Sequence, residues 1–543
     1  MKTHEVLNQV PPLSDVDLFA GDAPLKEAVI RSGGEWGLDT LHDFGTRVGS
    51  AEMFEHARLA NTHRPTLQTF DRLGHRINAV EFHPSYHALM ATSMEAGLHA
   101  QPWTDARAGA MAVRAAKSYL MTQVEAGHGC PITMTFASVP ALRHQPDLAD
   151  EWIPRITSTT YDPRNLPADQ KTAVTVGMAM TEKQGGSDVR ANTTRAVPQG
   201  DGSFRLTGHK WFCSAPMCDI FLTLAYESED QLSCFLVPRW TPDGVPNAMN
   251  LQRLKDKLGD RANASSEIEY DGAWATRIGE PGRGVRTIIE MVQHTRIDCV
   301  VASSGLMRQT LSQAIHHADH RRTFGKRLLE QPLMQNVLAD IALEVEAATA
   351  MSFRLVRAFQ EGAEDANAAA FARIGTAVGK YYICKRAPQV AYEAMECLGG
   401  NGYVEEHVMA RLYRQAPLNS IWEGSGNVIC LDVLRAMGRE PQAMLALRAE
   451  LMAATGQDAR YDAFLQELEV ELQDPTTLEA RARRLVERLA LGLQASILLQ
   501  EDGGAIAEAF VQSRLVERHG TLGTLPSDAP VSLLLERAHP LHT

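Results

Sequence analysis

The sequence has little that would place it in or across a membrane, and it lacks an excess of positive charge. No apolar run is long enough to cross a bilayer, and residues 1–5 lack the basic and then apolar order of a secretory signal. The 543 residues carry a formal net charge of −13, so nucleic acid could be bound only through a local basic patch. We therefore expect a cytoplasmic protein with no membrane partner.

Closely spaced cysteine pairs are also absent: no C-x-x-C motif occurs, and nothing suggests a metal site. Most of the eight cysteines lie in apolar stretches, which is typical of buried, reduced thiols. They are Cys130, Cys213, Cys218, Cys234, Cys299, Cys384, Cys397 and Cys430. No G-x-G-x-x-G segment follows a strand pattern and opens a helix, so the sequence does not support a Rossmann nucleotide site.

The apolar pattern that is present changes its period along the chain. The length suggests about three or four domains, and 44% hydrophobic with 22% charged residues fits a globular protein with a large core. The pattern predicts an N-terminal arm (1–50), a helical domain (51–172), a β-domain (173–280), a helical bundle (281–438) and a further helical segment (439–543). The expected fold class is α+β.

Two periodicities support this division. Apolar residues at helical spacing predict helices over 104–126, 285–320, 332–360, 367–398 and 426–437. Short runs separated by Asp, Gly, Pro and Asn predict strands at 204–207, 220–225, 234–238 and 267–270. The strands are expected to form a meander between helical regions, and the long helices after it an antiparallel bundle.

The segment 421–427, Ile-Trp-Glu-Gly-Ser-Gly-Asn, contains a carboxylate between an indole and small residues. A carboxylate buried beside aromatic surface is a stronger base, because desolvation penalises its charge, and such a base can remove a carbon-bound proton. The glycines would let a flat ring approach the backbone closely. The alternative is a plain helix start, with Ser425 or Asn427 as N-cap and Glu423 exposed.

Two stretches of the β-domain are candidates for a binding site. The Gly-Gly-Ser-Asp sequence in 180–188 is either an ordinary turn or a loop whose amides and hydroxyls, from Thr181 and Ser187, bind a polar ring edge or a phosphate. In the segment 208–214, Trp211 and Phe212 cannot both face the core of a regular strand. One of them could therefore form a wall for a planar cofactor.

Two stretches of the bundle complete the set. Residues 321–325, Arg-Arg-Thr-Phe-Gly, are either a helix end, where cations match the dipole and glycine caps, or a pyrophosphate-binding arginine with its support. Residues 398–403, Leu-Gly-Gly-Asn-Gly-Tyr, are typical of a tight loop between two helices.

These five stretches, in this order on an α–β–α chain, resemble the acyl-CoA dehydrogenase superfamily over about residues 100–440. The long N-terminal arm, the extra tail and the wording of 181–188 and 421–427 resemble most its AidB branch, which comprises flavoproteins linked to the adaptive response to DNA alkylation. The resemblance implies an N-terminal helical domain, a middle β-barrel or sandwich and a C-terminal helix bundle, with an additional helical segment at the C-terminus.

The resemblance also implies FAD as cofactor. The residues that match the family's flavin contacts are Met180, Thr181, Gly186, Ser187, Phe212, Cys213, Ser214, Arg321, Phe324, Ile421, Trp422, Gly424, Ser425, Gly426 and Asn427. Arg321 matches an arginine that reaches the FAD pyrophosphate of a neighbouring subunit, so a homotetramer built as a dimer of dimers is implied.

Glu423 matches the catalytic base of the family, which removes the α-proton of an acyl thioester while the β-hydrogen leaves as hydride. In the isovaleryl-type branch the base sits on an earlier helix, and Thr295 at the matching place cannot serve. Trp422 is bulkier than the family's usual tyrosine and would narrow the acyl pocket, so weak activity on a small acyl thioester, or on an alkylating compound, is expected.

The AidB resemblance implies binding to double-stranded DNA without sequence preference. The cations predicted to meet phosphates are Lys380, Lys385, Arg386 and Arg435. The alternative is that they are solvated helix faces. The sequence thus predicts an FAD-containing protein that shields DNA from alkylation and has weak isovaleryl-CoA-like dehydrogenase activity. The competing prediction is a fully active acyl-CoA dehydrogenase of branched or short-chain catabolism with no DNA role.

Overall fold

The computed structural model describes residues 3–474, 476–501 and 504–541, and the chain divides into two units. One, which we call the helical unit, is formed by residues up to 51, by 107–124 and by the chain from 296 onward. The other, the barrel unit, is formed by 52–106 and 125–295. Each is described by itself.

The barrel unit contains nine strands. They are β1 (Thr66–Phe70), β2 (Arg76–Glu81), β3 (Val176–Ala179), β4 (Arg195–Pro198), β5 (Phe204–Cys213), β6 (Ile220–Ser228), β7 (Gln231–Pro238), β8 (Met249–Leu254) and β9 (Ser266–Ile278). β1 and β2 form a separate hairpin. The main sheet runs β3-β6-β4-β5-β9-β7, with β8 on β9, and β7 pairs back onto β6. This return closes β6, β4, β5, β9 and β7 into a barrel, while β3 and β8 each pair with one strand of it.

Helices complete the barrel unit on its N-terminal side. They are α3 (Ala51–Thr62), α4 (Pro84–Glu95), α5 (Gln101–Thr104), α7 (Gly129–Leu142) and α8 (Pro146–Ile156). Thr135, in the middle of α7, links this helix to the sheet: its hydroxyl accepts a hydrogen bond of 2.9 Å from the amide of Val176 at the start of β3. The strand that leads to the loop at 180–188 is thus anchored to a buried helix.

The helical unit holds the remaining elements. They are α1 (Ala23–Arg31), α2 (Leu38–Val48), α6 (Ala110–Val124), α9 (Gly284–His320), the two-residue strands β10 (Arg322–Thr323) and β11 (Lys326–Arg327), α10 (Pro332–Glu361), α11 (Ala366–Cys397), α12 (Gly400–Tyr403), α13 (Val408–Gln415), α14 (Gly426–Arg439), α15 (Pro441–Met452), α16 (Ala459–Gln473), α17 (Leu478–Glu501), α18 (Ala505–Phe510), a π-helical turn (Val511–Val516) and α19 (Val531–Ala538). The first residues of α9 belong to the barrel unit.

Helix α11 is the centre of the helical unit, where it packs against α10, α14, α15 and α17. Two glycines permit the close approach of α10: a Cβ on Gly375 would lie 2.7 Å from Leu355 Cδ2, and one on Gly379 would lie 2.8 Å from Leu355 Cδ1. Because such distances are below contact, a larger residue at either position would require the Leu355 side chain to move.

The structure confirms the four long helices predicted after residue 284 and extends the four predicted strands. Two predictions were wrong. The segment 1–50 is not only an arm, since α1 and α2 lie in it, and α1 is capped by the side chain of Asp22. The helix predicted over 104–126 begins only at Ala110, because Gly109 before it takes a left-handed φ of +81°.

The hairpins β1–β2 and β10–β11 were not predicted. All eight cysteines are buried and form no disulfide among the described residues, as expected. Within the same residues, no helix combines the length and apolar character needed to span a membrane.

Candidate active site

The loop at 180–188 in the barrel unit is built on a buried ion pair. Glu182 has no exposed surface, and one of its oxygens accepts hydrogen bonds from Lys210 Nζ at 2.9 Å and from the Thr194 hydroxyl at 2.6 Å. The other accepts from the Thr193 amide at 2.6 Å. Burial alone would raise the pKa of Glu182, but Lys210 and these donors lower it to about 2. The ionised carboxylate therefore holds the loop on the barrel.

The same loop meets β5, so two of the five sequence motifs come together. The Trp211 amide donates to the carbonyl of Thr181 at 2.7 Å, and the Lys183 amide bonds His209 Nε2 at 2.9 Å. The register of β5 against β9 shifts after Lys210, as at a β-bulge. As a result Trp211 is half-buried, Phe212 is 44% exposed, and neither ring enters the barrel core.

The remaining predicted contacts of this loop lie around that surface. Gly186 cannot carry a side chain without a shift, because its Cβ would lie 2.3 Å from Thr181 Oγ1. Ser187 is exposed, while Met180 and Ser214 are half-buried. The thiol of Cys213 is buried, and burial raises its pKa to about 12, so it stays protonated. Any contact of Cys213 with the cofactor would therefore be made by its backbone and not by its thiol.

The second centre is the Glu423 loop in the helical unit. Glu423 takes a left-handed φ of +57° and Gly424 follows at +108°. A Cβ on Gly424 would lie 2.8 Å from Ile429 Cδ1. Ser425 is the N-cap of α14 but makes no side-chain cap bond, and Glu423 is half-buried rather than exposed. The arrangement is therefore more than the plain helix start that the sequence left open.

Side chains from three helical elements support this loop. Arg296 Nε donates to the carbonyl of Glu423 at 3.0 Å, and Lys380 Nζ donates to the carbonyl of Gly424 at 2.7 Å. Within the loop, Trp422 Nε1 donates to Asn419 Oδ1 at 2.9 Å. Ile421 and Asn427 are exposed on either side of it, and Gly426 is half-buried.

Arg321 and Phe324 lie on a third feature, the hairpin β10–β11 and the helix end before it. The Arg321 guanidinium donates to the carbonyl of Asn8, and the Asn8 side chain bonds both backbone groups of Arg322 at 2.8 Å. Phe324 is at the hairpin tip with a φ of +52° and 98% of its surface exposed. The N-terminal segment thus holds Arg321 in place.

One of the four cations predicted to contact DNA does not lie at the surface, so that prediction is wrong. Lys380 is 1% exposed and its ammonium bonds two backbone carbonyls, which leaves it no access to a phosphate. Arg386 is half-buried and its guanidinium binds the carboxylate of Glu344 through two nitrogens, so its charge is already compensated. Lys385 is half-buried, and Arg435 is 60% exposed with Asp432 at 3.7 Å.

The sequence also missed residues that support the site. Glu182 lies inside a recognised motif but had no role assigned to it. Lys210 precedes the two aromatic residues on β5, and a lysine that faces the barrel core needs a buried acidic partner, which is Glu182. Arg296 directly follows Thr295, and nothing in the sequence pattern assigned it a role. That threonine is buried and bonds the carbonyl of Val292, so it offers no base.

Three family models match this chain: the N-terminal domain of adaptive response protein AidB over residues 8–163, the middle domain of acyl-CoA dehydrogenases over 177–273, and their C-terminal domain over 282–438. The chain is 45% identical over 521 residues to the acyl-CoA dehydrogenase AidB of Escherichia coli K12, covering 96% of both proteins. It is 32% identical to acyl-CoA dehydrogenase family member 11 of Caenorhabditis elegans, over 88% of this chain and 77% of that one.

Solved structures give the same picture. The crystal structure of Caenorhabditis elegans ACDH-11 in complex with C11-CoA superimposes with a TM-score of 0.86 at 27% sequence identity. The match covers 95% of this chain and 94% of that one. The architecture of an N-terminal helical region, a middle β-barrel and a C-terminal helical region is therefore shared along nearly the whole chain.

Proposed function

The chain belongs to the acyl-CoA dehydrogenase family, with the N-terminal domain of its AidB branch, and on this premise we propose that Glu423 is the base of an FAD-dependent oxidoreductase acting on acyl thioesters. The observation that carries the proposal is the conformation of the Glu423 loop. Glu423 is half-buried and has a left-handed φ, and the buried cations Arg296 and Lys380 bind the carbonyls of Glu423 and Gly424. A loop built only to start a helix needs neither.

The residues present fit FAD, the cofactor of this family. In the barrel unit, Phe212 is 44% exposed, with the Lys255 ammonium 4.7 Å from its ring centre, beside a loop in which Gly186 carries no side chain. In the helical unit, α14 begins at Gly426 without a side-chain cap, which leaves its first amides available to an acceptor. We propose that the residues predicted above contact the cofactor, and each of these two surfaces, taken by itself, is suited to such contacts.

The chain's own residues then have defined roles. The carboxylate of Glu423 removes the proton from the carbon next to the thioester carbonyl and keeps it. Bound FAD supplies the two-electron acceptor, to which the hydrogen of the next carbon passes as hydride, so that a carbon–carbon double bond forms. Trp422 stands directly before the base, and its bulk would limit the acyl chain to small or branched groups, as in isovaleryl-CoA.

The test is an anaerobic titration of the purified, flavin-loaded protein with isovaleryl-CoA, followed by its visible spectrum. Bleaching of the flavin band would support dehydrogenation, and Glu423→Gln should bind the flavin but bleach at least about 10²-fold more slowly. Normal bleaching by Glu423→Gln would show that Glu423 is not the base. Absence of bleaching in the natural protein with short, branched and longer thioesters would exclude the dehydrogenase activity.

We further propose that the protein binds double-stranded DNA without sequence preference and protects it from alkylation. The observation in favour is a pair of cations beside the start of α14. Burial and the nearby charge of Arg483 lower the pKa of Lys385, and Arg483 also contacts the hydroxyl of Tyr381 at 3.3 Å. Two like charges held together favour an anion between them. We call these two cations, together with the exposed Arg435 further along α14, the Lys385 patch.

DNA binding is tested by the salt dependence of the affinity for a random duplex. Removing three phosphate contacts with Lys385→Ala, Arg435→Ala and Arg483→Ala together should make the slope of log K against log salt shallower by about 2–3. Arg283→Ala, an exposed arginine of the barrel unit, is the control and should change it little. Flavin content is compared as well, since Lys385 lies next to Gly426. An unchanged slope in the triple variant would show that the patch is a solvated surface.

Assembly and location follow the same premise. We propose a homotetramer made of two dimers, in which the exposed Phe324 and Arg321 face a neighbouring subunit. The eight buried thiols support a reducing compartment, for which we propose the cytoplasm. If the natural protein binds no duplex DNA and turns isovaleryl-CoA over rapidly, it is instead a catabolic acyl-CoA dehydrogenase with no DNA role.

A further inference from the structure

Lys380, in the middle of α11, is a buried cation with an unusual set of partners. It is 1% exposed, and its ammonium donates to the carbonyls of Gly424 at 2.7 Å and Asn419 at 3.1 Å. Among the described residues, no carboxylate lies within 4 Å of it. A buried ammonium without a counter-ion is costly, so its position calls for a role beyond packing.

Arg296, on α9, holds the same loop from another helix. Its Nε donates to the carbonyl of Glu423 at 3.0 Å, and its Nη1 donates to Asp432 at 2.8 Å. Asp432 also accepts a hydrogen bond of 2.9 Å from Arg373 Nη2. Burial would raise the pKa of Asp432, but the two guanidiniums lower it, so the carboxylate stays ionised and keeps Arg296 aimed at the loop.

The atoms that these cations bind set the direction of the Glu423 side chain. The orientation of a residue's carbonyl oxygen reports its ψ, so Arg296 restrains ψ of Glu423 and Lys380 restrains ψ of Gly424. Glu423 has a φ of +57°, a conformation that a non-glycine residue adopts at a cost and keeps only where its surroundings demand it. The two hydrogen bonds provide that demand.

Lys380 and Glu423 share a neighbour. Both act on the thiol of Cys299, which lies buried on α9: burial raises the pKa of this thiol, the charge of Glu423 raises it further, and the charge of Lys380 lowers it. Their charges therefore act on one buried group in opposite directions.

We propose that Lys380 and Arg296 are the positioning residues of Glu423: they hold its backbone in the left-handed conformation that aims the carboxylate at the substrate. This inference rests on the proposed function, because it concerns the same base. Both cations are buried and bind the loop through its backbone carbonyls, so each acts through the geometry of the loop. It also explains why a lysine stands among the buried residues of α11, which are otherwise uncharged.

The experiment compares Lys380→Met with the natural protein by two measurements. Hydrogen exchange read by mass spectrometry should show faster exchange of the segment 418–427 in the variant. Flavin reduction by isovaleryl-CoA at saturating thioester should be about 30- to 100-fold slower with little change in half-saturating concentration, because a base displaced by about 1 Å costs rates of this order. Lys380→Arg, which keeps a charged donor, should recover part of the rate.

Arg308→Met is the matched control. Arg308 lies on α9, is 2% exposed and also donates to two backbone carbonyls, those of Ala538 and Gly21. Its loss should lower stability but leave exchange of 418–427 and the reduction rate unchanged. In addition, the double variant Lys380→Met/Glu423→Gln should reduce its flavin no more than about threefold more slowly than Glu423→Gln alone. Two changes that act through one group are not additive.

The outcomes separate the two proposals. Unchanged exchange of 418–427 in Lys380→Met, or a reduction rate equal to that of the natural protein, would overturn the positioning role. An equal slowing by Arg308→Met would do the same, because the effect would then come from lost stability. If the natural protein does not reduce its flavin at all, the proposed function fails, and the exchange of 418–427 in Lys380→Met alone decides whether Lys380 restrains the loop.

Discussion

Glu344→Gln tests how the C-terminal tail is attached to the bundle. Glu344 lies in the middle of α10, is 2% exposed, and accepts hydrogen bonds from Arg386 of α11 at 2.9 Å and from Arg514 of the π-helical turn at 2.8 Å. Arg514 also binds Asp340 one turn earlier on α10. One carboxylate therefore joins two bundle helices to the tail, and the substitution removes its charge with little change in volume.

The expected loss follows from the pKa of Glu344. Burial would raise this pKa, but the charges and hydrogen bonds of Arg386 and Arg514 lower it from 4.5 to about 2. That difference corresponds to about 3 kcal/mol of stability at pH 7. Because the folded-state pKa is below the unfolded one, the stability is fully present above pH 4.5 and is lost as the pH falls toward 2. At pH 3.5 about 2 kcal/mol should remain.

The measurement is urea unfolding of the natural protein and Glu344→Gln at pH 7 and pH 3.5. Glu361→Gln is the control: Glu361 ends the same helix, is exposed and pairs with Arg357 at 3.4 Å, so its loss should cost less than about 1 kcal/mol. A cost for Glu344→Gln as small as that of the control, or one that does not shrink at pH 3.5, would refute the reasoning. Arg386 would then be free for the DNA contact first predicted for it.

Three further predictions concern the two candidate surfaces and the assembly. Gly424→Ala should slow flavin reduction while the flavin stays bound, because its Cβ would meet Ile429 at 2.8 Å; a natural rate would show that the loop can adapt. Lys210→Met should lower the free energy of unfolding by about 3–5 kcal/mol, because it leaves Glu182 buried without its cation. Substitution of the exposed Lys183 by Met should leave this free energy unchanged, and equal denaturation curves for the two variants would contradict the prediction. Phe324→Ser should leave the unfolding temperature unchanged but shift sedimentation from tetramer to smaller species, and an intact tetramer would remove the hairpin from the interface.

The long helices and the strand meander were predictable because each presents many apolar residues at one period. The bounds of α9 and α10 differ from the prediction by one residue at most at either end. The first fifty residues were not predictable in this way. Helix α1 is short, and it depends on a cap from Asp22, which is itself buried against Arg308 on α9, far away in sequence. A contact of that kind leaves no periodic signal.

In the candidate site, too, some residues were predictable from the sequence and others were not. The residues that would touch a cofactor or substrate, such as Thr181 and Glu423, stand in recognisable motifs because their chemistry restricts their type. The residues that hold those motifs do not. Lys380 and Lys385 have identical side chains on one helix, and only burial distinguishes the cation that binds a loop from the cation that can meet a phosphate. No local pattern of charge reports burial.

This difference on α11 has a consequence for how the two proposed activities coexist. Five residues along a helix turn through 500°, so Lys380 and Lys385 point about 140° apart. Lys380 faces the Glu423 loop, whereas Lys385 faces the start of α14 and Arg483. A phosphate at the Lys385 patch would therefore not need to disturb the base. It would lie beside Gly426, however, next to the proposed flavin contacts. The two sites are separable by substitution on α11 but adjacent at α14, which is why the DNA-binding variants have to be compared at equal flavin content.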